Sequence, residues 1–327
     1  MKHPERRKNL LMPFQNIKIS IVIPCHNHGE FLRDAVQSVF ASDFHDYEII
    51  IVNDGSEDEF TLKALRELEQ DFSGNPNLRI IHQENMGVAP ARNKAIQISR
   101  GEYILPLDAD DKIRPHYLGM AAAILDNKPD VGVVYPHARL FGEREGILEF
   151  PPFEPERLLL HNSVVVSSVY RKKIWETCGG YDPKMKIGYE DWEFWICAME
   201  MEWNFHFLEG DMFDYRIRHD SRNSACHIPE NRQELIRYIC GKHRDTYAKH
   251  LEYVISEKEA ILLRSELHIR DLEAIIREKE GELSRICNSH GWKALSMYYR
   301  FINKVFPMNS RRRQIAKHIL GILKSAD

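Results

Sequence analysis

The sequence predicts an α/β fold with a mainly parallel sheet flanked by helices, followed by a C-terminal helical coiled-coil extension. Two patterns lead to this expectation. Between residues 17 and 136, short β-branched runs alternate with amphipathic stretches, which is typical of β-α units around a parallel sheet. Between residues 251 and 286, charged helix formers without proline carry an apolar residue every seven positions, which is typical of a coiled coil.

The elements of the α/β part follow one another in a regular order. Strands are predicted at residues 18–24, 48–53, 78–82, 103–107 and 131–135, and helices near residues 30–41, 58–72, 88–99 and 115–126. Ligands of open α/β sheets bind at the carboxyl ends of the strands. Three of these ends are polar here: Pro24-Cys25-His26-Asn27, Asn53-Asp54-Gly55-Ser56 and Asp108-Ala109-Asp110-Asp111.

Residues 137–225 are less regular and rich in aromatic side chains. A helix is predicted at residues 189–201 and a strand at residues 204–207. Trp192, Trp195 and Trp203 could stack on sugars, but aromatic residues at helical spacing are more often part of a core.

The extension has one regular apolar row and one mixed row. Ile255, Leu262, Ile269, Ile276 and Leu283 recur every seven residues. The other seam position holds Leu251, Lys258, Ser265, Leu272, Lys279 and Ile286, so pairing through residues 251–286 into a homo-oligomer is expected to be weak. The alternative is a helix packed on the preceding domain.

Residues 288–327 form a basic, amphipathic tail. They contain eight Lys or Arg and one Asp, a net charge of +7, which leaves −11 on the rest of a chain whose formal charge is −4. Between residues 291 and 306 the apolar and polar side chains separate on a helical wheel, Pro307 ends the helix, and Arg311-Arg312-Arg313 begins a second basic stretch. This combination suits contact with an anionic membrane surface, and a helix docked on the protein's own core is the alternative.

The carboxylates Asp108, Asp110 and Asp111 follow an apolar strand, where a hard cation and a diphosphate could meet. Carboxylate oxygens suit Mg²⁺ or Mn²⁺, although acidic triplets are more often solvated loops. Asp54 could accept hydrogen bonds from a base or a ribose, or it could cap the following helix. An Asn85-x-Gly87 turn leads into a helix whose start would attract anions.

Taken together, Ser20 to Asn27, Val52 to Ser56, Asn85-x-Gly87 with Ala91-Arg92-Asn93, and Leu107 to Asp111 resemble glycosyltransferase family 2 in order and spacing. The resemblance covers residues 17–220. It implies a GT-A fold that works by inversion with a divalent metal, Mn²⁺ or Mg²⁺. It also implies a nucleotide-sugar half at residues 17–136 and an acceptor half at residues 137–240, between an N-terminal extension at residues 1–16 and a coiled-coil helix at residues 250–287.

The same resemblance implies roles for individual residues. Pro24, Asn27 and Asp54 would hold the nucleoside, Asn85 and Gly87 would help to bind the donor, and Arg92 or Asn93 would lie near it. Asp108 would contact the ribose or the metal, and Asp110 would be the principal metal ligand. In Gly188-Tyr189-Glu190-Asp191 the acidic pair resembles the acceptor-side motif, with Asp191 as the general base and Glu190 as its alternative. His219 would approach the metal or the diphosphate.

The expected partners are therefore a nucleotide-sugar donor, with UDP or another nucleotide, and a glycan or lipid-linked acceptor of surface polysaccharide synthesis. A nucleotidyltransferase would have a glycine-rich loop with a basic residue after the first strand. That alternative is disfavoured because residues 24–29 contain no Lys or Arg. A catalytically inactive scaffold is a second alternative, and nucleic acid is disfavoured because the part outside the tail is acidic. The start of the sequence lacks an apolar signal segment, so we expect a cytoplasmic protein. The basic tail adds the expectation that the protein is peripheral on the cytoplasmic face of the inner membrane.

Overall fold

A computed structural model of the chain describes residues 17–218, 222–307 and 310–312. It divides into two compact units, Met1–Ile255 and Ser256–Asp327. The predicted N-terminal extension lies outside the described residues, as do His219 and Arg313.

The first unit contains a nine-stranded sheet within the described part of the chain. The strand order is β3-β2-β1-β4-β8-β6-β9-β5, and β7 pairs with β6 at the side. The strands are β1 (Ile19–Cys25), β2 (Tyr47–Asp54), β3 (Leu78–Gln83), β4 (Tyr103–Pro106), β5 (Lys112–Ile113), β6 (Val131–Gly142), β7 (Gly146–Leu148), β8 (Val169–Arg171) and β9 (Asn204–Ile217).

Helices connect the strands and continue beyond the sheet. Those of the first unit are α1 (Gly29–Phe40), α2 (Glu59–Asp71), α3 (Val88–Ile98), α4 (Tyr117–Asn127), α5 (Pro155–Leu160), α6 (Lys172–Cys178), α7 (Glu190–Glu200), α8 (Arg222–Cys226), α9 (Pro229–Lys242) and α10 (Arg244–Lys249). Helix α11 (Leu251–Asn288) starts there and continues into the second unit, which also holds α12 (His290–Val305).

The predicted α/β fold class is confirmed, and the strand directions divide the sheet into two parts. β3, β2, β1 and β4 are all parallel. Beyond β4 the sheet is mixed, because β8 runs antiparallel to both β4 and β6 while β6 and β9 are parallel. The carboxyl ends of the four parallel strands therefore share one edge, where the polar segments after β1, β2 and β4 meet.

Local sequence explains where these elements begin. Asp58 caps α2 by accepting a hydrogen bond from the Thr61 amide at 2.8 Å. Gly87 precedes α3 with a φ of 93°, a left-handed conformation that glycine adopts without steric cost. The nine predicted elements before residue 136 are all present, with ends shifted by up to two residues except for β6, which continues to Gly142.

Gly29 lies where α1 packs against α2. Its amide donates to Thr61 Oγ1 at 2.7 Å, and an added Cβ would lie 2.2 Å from the Thr61 Cα. Gly29→Ala therefore forces backbone apart and should destabilise the fold by about 1–3 kcal/mol in a urea titration.

Gly241 provides the matched control, because it lies in α9 with no atom within 4 Å of an added Cβ. Gly241→Ala should stabilise the fold by about 0.5–1 kcal/mol, since alanine is the better helix former. Equal effects of the two substitutions would contradict the close packing at Gly29.

Candidate active site

The loop after β1 is tied to the loop after β2. Asn27 adopts a left-handed φ of 56°, and its side-chain oxygen accepts from the amides of Glu57 at 2.9 Å and Asp58 at 3.3 Å. His26 Nδ1 lies 2.8 Å from the Asp54 carbonyl oxygen. These contacts hold the first two polar strand ends together at the edge of the sheet.

Asp54 organises the turn before α3. One of its carboxylate oxygens accepts from the Gln83 side chain at 2.7 Å and the Met86 amide at 2.9 Å, and the other accepts from the Gly87 amide at 2.8 Å. The alternative that Asp54 caps the following helix is therefore wrong, because Asp58 caps α2. Asn85 is exposed in this turn, and its side-chain nitrogen lies 3.2 Å from His26 Nε2.

The acidic segment after β4 is held by the end of β9. Asp110 pairs with Arg218 at 2.9 Å, and Asp111 accepts from the Arg216 amide at 2.8 Å. The Arg216 guanidinium donates to the Asp110 carbonyl at 2.9 Å. Burial, and then the charge of Asp108, raise the pKa of Asp110, while Arg218 opposes that rise. Sequence reasoning missed both arginines, although they lie within three residues of His219, which it singled out.

Arg92 connects the acidic segment to α7. Its side chain is buried, and its two terminal nitrogens donate to Asp108 at 2.6 Å and to Glu190 at 2.7 Å. The guanidinium also lies over the Tyr181 ring, 5.5 Å from its centroid. A cation in the protein interior requires negative charge close to it, and Asp108 and Glu190 supply that charge here. Arg92 thereby joins two acidic clusters that are 82 positions apart in the sequence.

The acidic pair Glu190-Asp191 opens α7 directly after Tyr189, whose φ is 62°. Carboxylates are favoured in this first turn by the positive end of the helix dipole. Asp191 accepts from the Asn162 side chain at 2.8 Å. Burial and the neighbouring charge of Glu190 raise the pKa of Asp191 to about 6, against the opposing effects of Arg92 and Asn162. Sequence reasoning missed Asn162, which lies on an irregular loop.

The charges of both acidic clusters act on the hydroxyl group of Tyr215 on β9. The pKa of the Tyr215 hydroxyl is raised by its burial and then by the charges of Asp111, Asp108, Asp110 and Asp191. The structure thus brings together the carboxylates that the sequence placed in separate motifs.

Other predicted site residues are occupied by structural contacts. The Asn93 side chain donates to the Tyr181 carbonyl at 2.7 Å and accepts from the Trp175 ring nitrogen and the Tyr181 amide, each at 2.8 Å. Trp192 and Trp195 are buried, as their helical spacing indicated. Donor binding by Pro24, Asn27, Asn85, Gly87, Arg92 and Asn93 stays a prediction.

The acidic segment fits a hard divalent cation by its chemistry. Asp108 and Asp110 supply carboxylate oxygens, and the buried Asp111 Oδ2 has no hydrogen-bond partner among the described residues. In the described part of the chain no three His, Cys, Asp or Glu side chains are grouped to hold a metal. One or two carboxylates are what Mg²⁺ commonly takes from a protein, with phosphate and water completing its shell.

A mixed α/β sheet whose parallel edge gathers acidic residues, beside a helix that opens with two carboxylates, has the architecture of the GT-A fold. The model of the family "Glycosyl transferase family 2" matches residues 20–164. An uncharacterized glycosyltransferase of Methanocaldococcus jannaschii is 30% identical over 215 residues, which are 61% of this chain and 70% of that protein. The chain therefore belongs to glycosyltransferase family 2 and is a glycosyltransferase.

Two further relatives are similar over smaller shares of their own length. The chondroitin synthase of Escherichia coli is 31% identical over 145 residues, 43% of this chain and 20% of the synthase. The crystal structure of S. aureus TarS 1-349 in complex with UDP-GlcNAc superposes with a TM-score of 0.56 at 21% identity, over 68% of this chain and 65% of that crystallised chain. The TarS superposition shows that the fold is shared.

Arg92→Gln should destabilise the fold by about 3–5 kcal/mol, because it leaves the buried Glu190 and the partly buried Asp108 without their shared cation. Chemical denaturation measures this loss.

Arg33→Gln is the control, since Arg33 donates to Asp71 at the same 2.7 Å but lies at the surface. Surface pairs contribute about 0–1 kcal/mol. A loss for Arg92→Gln no larger than the loss for Arg33→Gln would contradict the internal role of Arg92.

Proposed function

We propose that the chain is an inverting glycosyltransferase that moves a sugar from a nucleotide-diphosphate sugar to a hydroxyl group of a glycan or lipid-linked acceptor in surface polysaccharide synthesis. The observation that carries this proposal is that Arg92 joins the acidic segment Asp108–Asp111 to the acidic pair Glu190-Asp191, because it donates to Asp108 at 2.6 Å and to Glu190 at 2.7 Å. TarS, which shares the fold, was crystallised in complex with UDP-GlcNAc, and this favours UDP as the nucleotide. The similarity to chondroitin synthase favours a polysaccharide product.

Asp191 is the proposed general base. Its carboxylate takes the proton of the acceptor hydroxyl while that oxygen forms a bond to the anomeric carbon of the donor sugar. The bond from this carbon to the diphosphate oxygen breaks on the opposite face, and its electron pair leaves with the nucleotide diphosphate. A pKa near 6 keeps Asp191 ionised at neutral pH and still close to the operating pH, which is the useful range for a base.

Asp108 and Asp110 are the residues that would hold the divalent cation, Mn²⁺ or Mg²⁺. When bound, such an ion neutralises charge that builds on the departing diphosphate. Burial of Asp110 beside Asp108 raises the pKa of Asp110, and this crowding of like charges is what a cation would relieve. Asp54 and Asn27 lie at the same sheet edge and are the proposed nucleoside contacts.

Asp191→Asn preserves shape and removes basicity, so transfer should fall by roughly 10²–10⁴-fold while donor affinity changes little. Steady-state kinetics and calorimetry with the nucleotide diphosphate measure the two quantities. Near wild-type transfer would move the role of base to another residue, Glu190 being the alternative.

The wild-type enzyme should also show an acidic limb in kcat/KM. Since the reactive form of Asp191 is ionised and its pKa is about 6, activity should fall about tenfold per pH unit below that value. A profile that stays flat down to pH 5 would argue against Asp191.

Asp110→Ala should abolish metal-dependent binding of the nucleotide diphosphate without unfolding the protein, because the side chain lies in a loop at a strand end. Calorimetry with and without Mn²⁺ measures this. Asp71→Ala, which removes an exposed carboxylate, is the control, and unchanged metal dependence in Asp110→Ala would refute the assignment.

We further propose that the C-terminal extension serves assembly and attachment, with residues 251–286 pairing copies of the chain and residues 288–327 contacting an anionic membrane surface. No helix in the described ranges is both long enough and apolar enough to span a bilayer. Helix α12 is described in full and has no buried residue, and Trp292, Tyr298 and Phe301 are 45%, 58% and 64% exposed. Exposed aromatic and basic residues on one helix suit a membrane interface.

The full chain should float with anionic liposomes at low salt, and a chain cut after Ile286 should not. Replacing Lys293, Arg300 and Lys304 of α12 by Gln should weaken binding about a hundredfold, at about 1 kcal/mol for each charge.

Replacing Arg264, Arg270 and Arg277 of α11 by Gln removes the same charge from another helix and should leave flotation unchanged. If full-length and truncated proteins float equally, or neither floats, the tail is not a membrane contact.

A further inference from the structure

Beyond Val254, which packs against the hydrophobic core, helix α11 presents a long surface that no other described residue of the single chain buries. It contains 38 residues, about 57 Å at 1.5 Å per residue, and none of them is buried. Its apolar row is 54–60% exposed and consists of Ile255, Leu262, Ile269, Ile276 and Leu283. Branched apolar side chains repeated along five helical heptads indicate a surface that is covered by another helix.

The two sides of the apolar row differ in charge. The mixed row, three residues further along, holds Lys258, Ser265, Leu272, Lys279 and Ile286. The glutamate flank follows the mixed row and consists of Glu259, Glu266, Glu273 and Glu280. The opposite flank precedes the apolar row and consists of Val254, Ile261, His268, Ile275 and Glu282.

This asymmetry distinguishes the two ways in which a second copy could pair. In an antiparallel pair, like flanks lie together, so four glutamates of one helix would face four glutamates of the other. In a parallel pair, each glutamate flank lies beside the opposite flank of the partner, where three of the five side chains are apolar and the one carboxylate, Glu282, falls beside Cys287 of the second copy. Facing rows of like charge are costly, so the parallel pair is favoured.

The lysines of the mixed row support the same arrangement. In a parallel coiled coil, a mixed-row residue packs beside the glutamate flank of the partner, so Lys258 would lie next to the second copy's Glu259 and Lys279 next to the second copy's Glu280. In the single chain, Lys279 is paired with Glu282 of its own helix at 2.9 Å. Pairing in register sets Lys258 opposite Lys258 and Lys279 opposite Lys279, where the adjacent Glu259 and Glu280 of both copies balance the like charges. It also keeps the Leu272 and Ile286 layers apolar, whereas a shift by one heptad sets Lys279 against Ile286 or Leu272.

The same pattern argues for two strands and against lipid as the occupant. Isoleucine fills three of the five positions of the apolar row, a preference of two-stranded coils, and lysine stems reach water more easily from a pair than from a larger bundle. A glutamate flank directly beside the seam would repel an anionic bilayer.

We infer that α11 pairs with α11 of a second copy as a parallel, in-register, two-stranded coiled coil. The inference rests on the assembly role proposed above for residues 251–286. It sets the two copies side by side with their chains running in the same direction along this helix.

Light scattering and disulfide crosslinking of the full chain test this arrangement. The exposed Cys287 is first replaced by Ser, and Leu262→Cys or Leu283→Cys is then introduced singly. The full chain should have the mass of a dimer. In a glutathione redox buffer, each variant should form a disulfide to the same residue of its partner, with oxidised glutathione taking up the two electrons.

Leu267→Cys is the matched control, because Leu267 is 49% exposed on the side of α11 that faces away from both rows, and it should not crosslink. A monomeric mass would overturn the pairing itself, and a trimeric mass would overturn the two-stranded coil. A dimer in which neither Leu262→Cys nor Leu283→Cys crosslinks would overturn the parallel arrangement alone. None of these outcomes bears on glycosyl transfer, which the Asp191 variant tests separately.

Discussion

The buried guanidinium of Arg92 is the interaction on which the rest of the site depends. It forms ion pairs with Asp108 after β4 and with Glu190 at the start of α7, and these two carboxylates balance the positive charge of the guanidinium. An uncompensated charge at this depth would cost several kcal/mol, so the three elements that carry these residues are held in one arrangement. The carboxylates after β4 and those at the start of α7 are thereby positioned together by a residue that lies between them.

A second set of contacts explains why both parts of the sheet are needed. Asp54 accepts hydrogen bonds from the Met86 and Gly87 amides in the turn before α3. These bonds fix the start of the helix, and Arg92 lies one turn further along it. Arg216 and Arg218, from the end of β9, hold Asp111 and Asp110 from the other side. The parallel strands supply the acidic edge, and the mixed part of the sheet supplies the counter-charges.

The α/β elements could be predicted because their signals are local, such as β-branched runs and the Gly87 turn. The strands β5 and β8 could not, because two or three residues such as Lys112–Ile113 carry no periodicity and become strands only by pairing with β9 or β4. Asp54 and Asp108–Asp111 were found from their place after strands, and Glu190-Asp191 from the family resemblance, but their hydrogen-bond partners were not found. The one sequence signal for Arg92 was an arginine among small apolar residues in Val88-Ala89-Pro90-Ala91, which suggests a buried charge that needs acids.

Charge balance sets the remaining constraint on this site. Asp108 has Arg92 and Asp110 has Arg218 as internal cations, whereas Asp111 is buried with one carboxylate oxygen that lacks a hydrogen-bond partner in the described part of the chain. A nucleotide diphosphate adds negative charge to this already acidic edge. The Arg218 guanidinium, 21% exposed, can serve either Asp110 or a diphosphate, but a cation that binds Asp110 must share or replace it. A metal ion that binds Asp110 would release Arg218 to pair with the diphosphate, and a diphosphate that takes Arg218 would leave Asp110 for the metal. The metal and the nucleotide are therefore expected to stabilise each other's binding.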